Sequence, residues 1–318
     1  MNGKVFITDY IQTPDLESKI LGNILTNQPS VDVEVLLVWH EIINQDYCKR
    51  FPNLKGVVRY GVGYDSLDLN YLAKNKIIAC NTPDYGTDEV SDTAVSMITG
   101  IARGIYRYDN LARTFREDSW QENTIKSLKR NSETTIGFLG AGRIGGNAVL
   151  KCNSLKFKTA IYDPFKERGY EKLLNTMRVD ELEELLSISE IISIHLPLNN
   201  DTKGMINESF ISKMKHGSSI VNTARGAIVS DIDIFYDALK SGQLNSVYLD
   251  VLPEEPPKRS KLIDAWRNRE DWLDGRLIIN PHSAYYSKEA YYEMRTKAAL
   301  NALRIIENKK PFNILSIP

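Results

Sequence analysis

A few polar side chains stand where predicted strands end, and some of them are suited to proton transfer. The chain contains four histidines, so a general acid or base near neutral pH can be sought by elimination. His40 ends the strand VLLVWH, His216 lies in the turn MKHGS, and His195 in SIHLPL suits a ligand loop or a structural role. His282 ends the run INPH before a Ser-Ala turn. It is the best candidate for a proton donor, with a purely structural role as the alternative.

An arginine and a pair of glutamates, also at strand ends, have the chemistry to assist such a donor. Arg225 in NTARG is followed by a glycine, which leaves room for its guanidinium to bind a carboxylate at two points and polarise a carbonyl. The alternative is a surface arginine paired with an acid. Glu254 and Glu255 follow the strand SVYLDV, and a carboxylate beside His282 would stabilise its charged form and fix its tautomer. Adjacent glutamates are usually exposed to solvent, so the spacing alone leaves their role open.

The stretch TIGFLGAGRIGGNAV, residues 135–149, carries glycines at G-x-G-x-x-G spacing between a predicted strand and a predicted helix. Gly140 permits a tight turn, Gly142 lets backbone N–H groups approach a pyrophosphate, and Gly145 lets the helix pack closely on the strand. Asp163 closes the next strand, KTAIYDP, at the distance where an acid binds ribose hydroxyls. The pattern predicts a dinucleotide-binding unit rather than an ordinary strand, turn and helix.

Residues 1 to about 100 alternate apolar runs with helical stretches. KVFITDY, VEVLLVW, GVVRY and IIACN read as strands, with helices at 15–25, 45–51 and 66–74. Strands that alternate with helices predict a parallel, layered α/β domain. The loop GVGYD, residues 61–65, leaves a strand at its carboxyl end, where ligands bind in such sheets. Its backbone N–H groups suit a carboxylate, and the blander alternative is a turn that needs positive φ.

A long helix is predicted over residues 88–108, and a polar, irregular segment follows at 109–133. Trp120 is the large apolar side chain of this segment, which we expect to pack against a neighbour such as a second copy of the chain. The strand and helix series from residue 134 then continues to NPH, and a helix over 288–308 is able to return to the first domain. We therefore predict an α/β protein with two doubly wound parallel-sheet domains, Rossmann-like or flavodoxin-like, and a cleft between them. Residues 1–100 with 288–318 form the substrate-binding domain, and residues 101–287 form the nucleotide domain.

Composition excludes several classes of protein. A length of 318 residues exceeds the usual single core, while 42% hydrophobic and 25% charged residues are ordinary for a globular protein. A net charge of -1 gives no reason to expect nucleic acid or an anionic membrane as partner. The start, MNGKVFITDY, reads as a first strand rather than a signal peptide. Three scattered cysteines form no CxxC pair, which predicts free thiols in a reducing cytoplasm and no metal site.

Taken together, the ordered motifs resemble one known family over nearly the whole chain. The segments VRYGVGYDSLDL, NTPDYGTDEVSDTA, GFLGAGRIGG, HLPLNNDTKGMIN, NTARGAIV, LDVLPEEP and NPHSAYYS are similar to those of the D-isomer-specific 2-hydroxyacid dehydrogenases. PHSAYYSKEA is most similar to the branch that contains the C-terminal-binding proteins and their bacterial relatives. Residues 257–276 depart from the family, because this link is longer and more charged than usual.

The resemblance implies roles for particular residues. The catalytic trio would be Arg225, Glu255 and His282, with Glu255 chosen over Glu254 because it immediately precedes a proline. NAD would contact Thr87, Gly140, Gly142, Arg143, Ile144, Gly145, Asp163, His195, Leu196, Pro197, Thr202, Thr223, Ala224, Asp250 and Ala284. Substrate would contact the backbone of Val62 and Gly63 and the side chain of Arg225. Tyr60, Tyr85 and Tyr285 suit an aromatic pocket, although tyrosines at strand ends are often half-buried packing.

The implied activity is that of an NAD-dependent oxidoreductase that interconverts a D-2-hydroxy acid and its 2-keto acid. The implied partners are that small acid and a second copy of the chain, in a cytoplasmic homodimer. An alternative from another class is an NAD(H)-sensing, co-repressor-like binding protein with little turnover.

Overall fold

The computed structural model describes residues 3–115, 117 and 120–315, and the chain forms two compact units. The first unit comprises Met1–Gly86 and Tyr286–Pro318, and the second comprises Thr87–Tyr285. The sequence predicts the first border near residue 100. In the structure this border lies earlier, because the helix after Gly86 packs on the helix of the glycine fingerprint and on two strands of the second unit.

The first unit is built on a five-stranded parallel sheet in the order β2-β1-β3-β4-β5. Its strands are β1 (Lys4–Ile7), β2 (Leu25–Thr26), β3 (Val33–Val38), β4 (Gly56–Arg59) and β5 (Ile78–Cys80). Its helices are α1 (Asp15–Leu21), α2 (Gln45–Cys48), α3 (Leu69–Lys74) and α12 (Lys288–Ile306), with a 3₁₀ turn at Gly22–Ile24. The sequence predicts all of these strands except β2, whose two residues are too few to show a period.

The core of the first unit follows from its parallel sheet. Strand β3 is buried on both faces, and Val35, Leu36 and Leu37 are fully inaccessible to solvent, as expected when helices cover both sides of a parallel sheet. Helix α12 packs on α1, β3 and β4. It turns Ala298 and Ala302, both fully buried, toward them at helical spacing.

The second unit is built on a seven-stranded parallel sheet in the order β12-β11-β10-β9-β6-β7-β8. Its strands are β6 (Thr135–Leu139), β7 (Lys158–Tyr162), β8 (Met177–Arg178), β9 (Ile191–Ile194), β10 (Ser218–Asn222), β11 (Leu244–Leu249) and β12 (Leu277–Ile279). The strand order reverses between β6 and β9, which lie side by side although β7 and β8 separate them in sequence. In such sheets ligands bind outside the carboxyl ends of the strands at the point of reversal.

The helices of the second unit cover this sheet. They are α4 (Thr87–Arg103), α5 (Ile105–Arg113), α6 (Arg143–Ser154), α7 (Tyr170–Leu173), α8 (Leu182–Ile188), α9 (Glu208–Lys213), α10 (Ile234–Ser241) and α11 (Lys261–Arg267), with 3₁₀ turns at Asn131–Glu133 and Gly226–Ile228. Among the described residues, no helix combines the length and the apolar character needed to cross a membrane.

Two features of the second unit differ from the sequence-based expectation, and one further helix was not predicted. The single helix predicted over residues 88–108 is two helices, because Gly104 takes a left-handed conformation with φ of 63°. The segment predicted as irregular begins inside α5, and its residues 116, 118 and 119 lie outside the described part of the chain. The charged link 257–276 contains α11, which starts where the Ser260 side chain accepts the N–H of Ile263.

Candidate active site

The glycine loop at the end of β6 has room for a ligand where the fingerprint predicts it. Gly140 has φ of 87°, and a Cβ at Gly145 would lie 2.2 Å from the carbonyl oxygen of Gly140, so neither position tolerates a side chain. A Cβ at Gly142 would meet nothing within 4 Å. Gly142 also caps α6 without a side-chain hydrogen bond. The first N–H groups of α6 have no partner within the helix, and the space beside Gly142 is open, an arrangement that suits phosphate oxygens.

Asp163 follows β7 and braces the glycine loop. Its carboxylate accepts the N–H of Ala141 at 2.9 Å and the N–H of Phe165 at 3.0 Å. A carboxylate has about four acceptor positions, so capacity remains for ribose hydroxyls. Farther along, Arg168 is paired with Asp180 at 2.8 Å.

The loop after β9 is held by its own side chains. The Nε2 atom of His195 lies 2.9 Å from the Ser193 hydroxyl, and its ring stacks on Phe138. Loss of solvation lowers the pKa of His195 to about 4, so this imidazole is uncharged near neutral pH. The Thr202 hydroxyl donates to the carbonyl oxygen of Pro197 at 2.6 Å. The Leu196 side chain would lie 3.2 Å from a Cβ at Gly140, so this loop packs against the glycine turn.

Thr223 offers a polar atom that is otherwise without a partner. It follows β10 and is 7% exposed, and its hydroxyl is buried with no hydrogen-bond partner among the described residues. The next peptide is fixed, because the N–H of Ala224 donates to Asn222 Oδ1 at 3.0 Å. Buried hydroxyls are nearly always bonded. Together with the open space at Gly142, this orphan hydroxyl at the same sheet edge fits a bound dinucleotide.

Asp250 fixes the turn that carries His282. Its side chain is 1% exposed and accepts the N–H groups of Ser283 at 3.0 Å and of Ala284 at 3.0 and 3.1 Å. Its carbonyl oxygen accepts the N–H of His282 at 2.8 Å. Burial raises the pKa of Asp250 above its usual range. The predicted contact of this residue with NAD remains a prediction, since the carboxylate of Asp250 is engaged by the turn.

His282 and Glu255 form a direct pair. The Nδ1 atom of His282 lies 2.7 Å from Glu255 Oε2, and Glu255 Oε1 accepts the N–H of Leu252 at 2.8 Å. We assign the Nδ1 proton to this bond, which leaves Nε2 for other chemistry. Burial acts to raise the pKa of Glu255, but its hydrogen bond to His282 and the positive charges of His282 and Arg225 outweigh it, so the pKa is lowered. Glu254 instead pairs with Lys258.

Arg225 lies in a loop whose backbone contacts the loop that carries Glu255, and the sequence does not reveal this contact. A Cβ at Gly226 would lie 1.8 Å from the carbonyl oxygen of Leu252. The loop after β10 therefore touches the loop that carries Glu255, and only glycine permits this approach. The Arg225 backbone is fixed by Asn222 Nδ2, which donates to its carbonyl oxygen at 3.0 Å. The structure thus brings Arg225, Glu255 and His282 to adjacent loops of the second unit.

The loop after β4, in the first unit, presents backbone N–H groups. Gly61 has φ of 107°, and its N–H donates to Thr82 Oγ1 at 2.6 Å. Thr82 returns a bond to the carbonyl oxygen of Gly61 at 3.1 Å, and Asn81 Nδ2 donates to that of Val62 at 2.6 Å. The N–H groups of Val62 and Gly63 donate to nothing in the part of the chain that the structure describes. Fixed carbonyls and two adjacent unpaired N–H groups suit an anion.

The tyrosines of the predicted aromatic pocket differ in exposure. Tyr60 is fully buried, and its hydroxyl donates to Glu17 at 2.9 Å, which leaves its ring no surface for a substrate. Tyr85 is 9% exposed, with its hydroxyl 3.5 Å from the position of a Cβ at Gly61. Tyr285 is half-buried at the end of the second unit, and Thr87 is the first residue of α4. The packing of Tyr60 corrects its assignment as a residue that contacts substrate.

Comparison with known proteins identifies relatives that match most of this sequence. The family model described as "D-isomer specific 2-hydroxyacid dehydrogenase, NAD binding domain" matches residues 95–284. A glyoxylate reductase of Thermofilum pendens is 32% identical over 261 residues, which are 82% of this chain and 74% of that protein. A D-3-phosphoglycerate dehydrogenase of Archaeoglobus fulgidus is 27% identical over 295 residues. That alignment covers 93% of this chain but only 51% of the longer relative.

Solved structures agree with these matches. The D-lactate dehydrogenase of Aquifex aeolicus, complexed with NAD and lactic acid, has a TM-score of 0.85 at 25% identity, covering 99% of this chain and 100% of that one. The apo D-mandelate dehydrogenase of Rhodotorula graminis has a TM-score of 0.82 at 26% identity, covering 100% and 98%. The finer placement in the branch of the C-terminal-binding proteins stays a prediction. The chain belongs to the NAD-binding, D-isomer specific 2-hydroxyacid dehydrogenase family.

Proposed function

We propose that this protein is an NAD-dependent dehydrogenase that interconverts a D-2-hydroxy acid and its 2-keto acid. The observation that carries the proposal is the 2.7 Å contact between His282 and Glu255, next to a loop that brings Arg225 into the same neighbourhood. A histidine poised by a carboxylate is suited to proton transfer, and an arginine is suited to a 2-keto acid, which offers a carboxylate beside a carbonyl.

Each of the three side chains has a distinct task in this proposal. In the reducing direction, NADH held by the glycine loop and Asp163 would supply the hydride that the keto carbon accepts. His282 delivers its Nε2 proton to the keto oxygen, while Glu255 holds Nδ1 and stabilises the charged ring. Arg225 orients the substrate carboxylate and polarises the carbonyl. The N–H groups of Val62 and Gly63 are proposed to bind that carboxylate.

The direct test is NADH oxidation against a panel of 2-keto acids. Glyoxylate, pyruvate and phenylglyoxylate correspond to the activities named for the reductase, the lactate dehydrogenase and the mandelate dehydrogenase described above. We expect turnover of at least one member of the panel. Tight NADH binding without turnover of any 2-keto acid would favour the sensing, co-repressor-like alternative.

NAD should be preferred over NADP. A 2′-phosphate in the place of a ribose hydroxyl would lie against the carboxylate of Asp163, and like charges repel. We expect kcat/KM with NADH to exceed that with NADPH by about tenfold or more, which corresponds to ~1.4 kcal/mol. Initial rates with both cofactors at a fixed keto-acid concentration measure this ratio, and equal values would contradict the role of Asp163.

The pH dependence of keto-acid reduction should respond to Glu255→Gln. The bond to His282 holds the pKa of Glu255 below its usual range, so Glu255 is a carboxylate near neutral pH and stabilises the protonated form of its partner. A neutral glutamine cannot do so, and the fall of activity with rising pH should move to lower pH. Glu254→Gln is the matched control, because Glu254 pairs with Lys258 on the surface. An unchanged pH profile of Glu255→Gln would show that the pair of Glu255 and His282 has no role in the reaction.

We also infer a homodimer in the cytoplasm. Large apolar side chains on α5 and in the segment that follows it are well exposed, including Ile105 at 56%, Phe115 at 57% and Trp120 at 65%. The family resemblance implies that a second copy of the chain covers this surface. The three cysteines are buried and unpaired, as is usual in a reducing compartment. A single-chain molar mass at micromolar concentration would contradict the dimer.

A further inference from the structure

The loop of residues 61–63 is preceded by a tyrosine that is anchored at both ends. The N–H of Tyr60 donates to the carbonyl oxygen of Val38 at 2.8 Å, and its hydroxyl donates to Glu17 Oε1 at 2.9 Å. The ring is fully inaccessible to solvent and packs against Trp39 at a centroid distance of 5.6 Å. Burial and the nearby charge of Glu17 raise the pKa of Tyr60 well above its usual value, so the hydroxyl remains a donor.

The anchor itself is a buried ion pair. Glu17 is fully buried and Arg295 is 5% exposed. Arg295 Nε donates to Glu17 Oε1 at 2.9 Å, and Arg295 Nη2 donates to Glu17 Oε2 at 2.5 Å. The same Nη2 contacts the carbonyl oxygen of Thr13 and Oδ1 of Asp15, each at 2.9 Å. These bonds join α1 to α12 and leave both oxygens of Glu17 occupied.

A buried ion pair is a costly way to gain stability, because both charges lose their hydration. Hydrophobic residues of similar volume often stabilise a core as well or better. A fully bonded polar network does, however, fix one geometry of the groups that it joins. The group that this network joins to two helices is Tyr60, one residue before Gly61.

We propose that Glu17, Arg295 and Tyr60 are positioning residues that hold the loop of residues 61–63 in its anion-binding conformation. The inference rests on the proposed function of Val62 and Gly63 as ligands of the substrate carboxylate. Thr82 and Asn81 fix the carbonyl groups of the loop from one side, and the Tyr60 anchor fixes the residue before Gly61. Both constraints are needed to keep two adjacent N–H groups aimed at one anion.

This arrangement predicts which kinetic constant the anchor controls. Loosening the loop weakens ground-state and transition-state binding of the carboxylate alike, so KM for the keto acid should rise while kcat changes little. Cofactor affinity should not change, because the glycine loop and Asp163 lie in the second unit. A role limited to stability would leave both constants unaltered in the protein that remains folded.

The test is Tyr60→Phe, with Tyr248→Phe as its matched control. Tyr248 is 1% exposed and its hydroxyl also makes one hydrogen bond, to the carbonyl oxygen of Gly275 at 3.0 Å. Each variant removes one buried hydroxyl that bonds to another protein group. We expect Tyr60→Phe to raise KM for the keto acid about tenfold, because a loop that is no longer preorganised must be ordered when substrate binds. Tyr248→Phe should lower thermal stability and leave KM unchanged.

Amide hydrogen exchange of residues 60 and 61, whose N–H groups donate to Val38 and Thr82, gives a second readout that needs no turnover. Exchange should be faster in Tyr60→Phe and unchanged in Tyr248→Phe. Equal KM values and equal exchange in the two variants would overturn the positioning role. Failure of the proposed function has a different signature, because wild-type protein would then neither reduce a 2-keto acid nor bind oxamate, a non-reducible analogue that keeps the carboxylate. In that case the inference falls with the proposed function.

Discussion

Replacement of His282 by asparagine or alanine is expected to lower kcat for keto-acid reduction by about 10²-fold or more, the usual range for loss of a general acid. Asparagine is the more informative change, because His282 has φ of 53° and asparagine tolerates this left-handed region better than most residues. NADH affinity should be nearly unchanged, since the ring pairs with Glu255 rather than with the glycine loop. Stopped-flow or steady-state reduction rates with NADH fluorescence titrations measure both quantities.

His216→Ala is the control for this experiment, because His216 lies in an exposed turn and should retain full activity. Near-full activity of both His282 variants on every good substrate would remove the proton-donor assignment. His195 would not replace it easily, because its pKa of about 4 leaves the ring uncharged at neutral pH.

Two glycine variants of the fingerprint should fail in different ways. Gly145→Ala places a methyl group 2.2 Å from the carbonyl oxygen of Gly140, and backbone cannot move aside as a side chain can. We expect it to destabilise the second unit by about 1–3 kcal/mol or more, as for overpacked cores, and to abolish measurable NADH binding. Thermal unfolding and NADH titration of the same preparation measure the two effects.

Gly142→Ala is the companion variant, because its methyl group meets nothing within 4 Å in the protein. The stability of Gly142→Ala should stay close to that of the wild type. NADH affinity should fall by about tenfold or more, ~1.4 kcal/mol, because the methyl group would occupy the space where the pyrophosphate is expected to bind. Wild-type NADH affinity in Gly142→Ala would show that the ligand does not approach the backbone there.

Long apolar strands and the glycine fingerprint were predictable from sequence because their signals are local. The strands β6, β7 and β9–β11 are runs of mostly buried residues, and β12 is a short apolar run. Their spacing with helices indicates a parallel sheet. Strand β8 has two residues and shows no period. The break between α4 and α5 was missed because one glycine inside an amphipathic pattern does not by itself predict a left-handed turn.

The chemistry of the site was only partly predictable. Histidines are few, so elimination points to His282, and the family resemblance adds Arg225 and Glu255. The contact between Gly226 and Leu252 depends on how two distant loops meet, which no local pattern encodes. The same is true of Tyr60. Its position at a strand end suggests a ligand contact, but its hydroxyl reaches Glu17 inside the core, so tertiary packing decides its role.

The discontinuous first unit also sets an order of events during protein synthesis. Residues 1–86 leave the ribosome before all of Thr87–Tyr285, and α12 follows last. At ~5–20 residues per second, Glu17 waits about 15–55 s for Arg295. During that time its carboxylate has no guanidinium partner, and the surfaces of β3 and β4 that α12 covers stay open to water or to a chaperone. The second unit is continuous in sequence and is able to fold as it emerges. This nucleotide-binding unit is therefore complete before the first unit, although the synthesis of the first unit begins earlier.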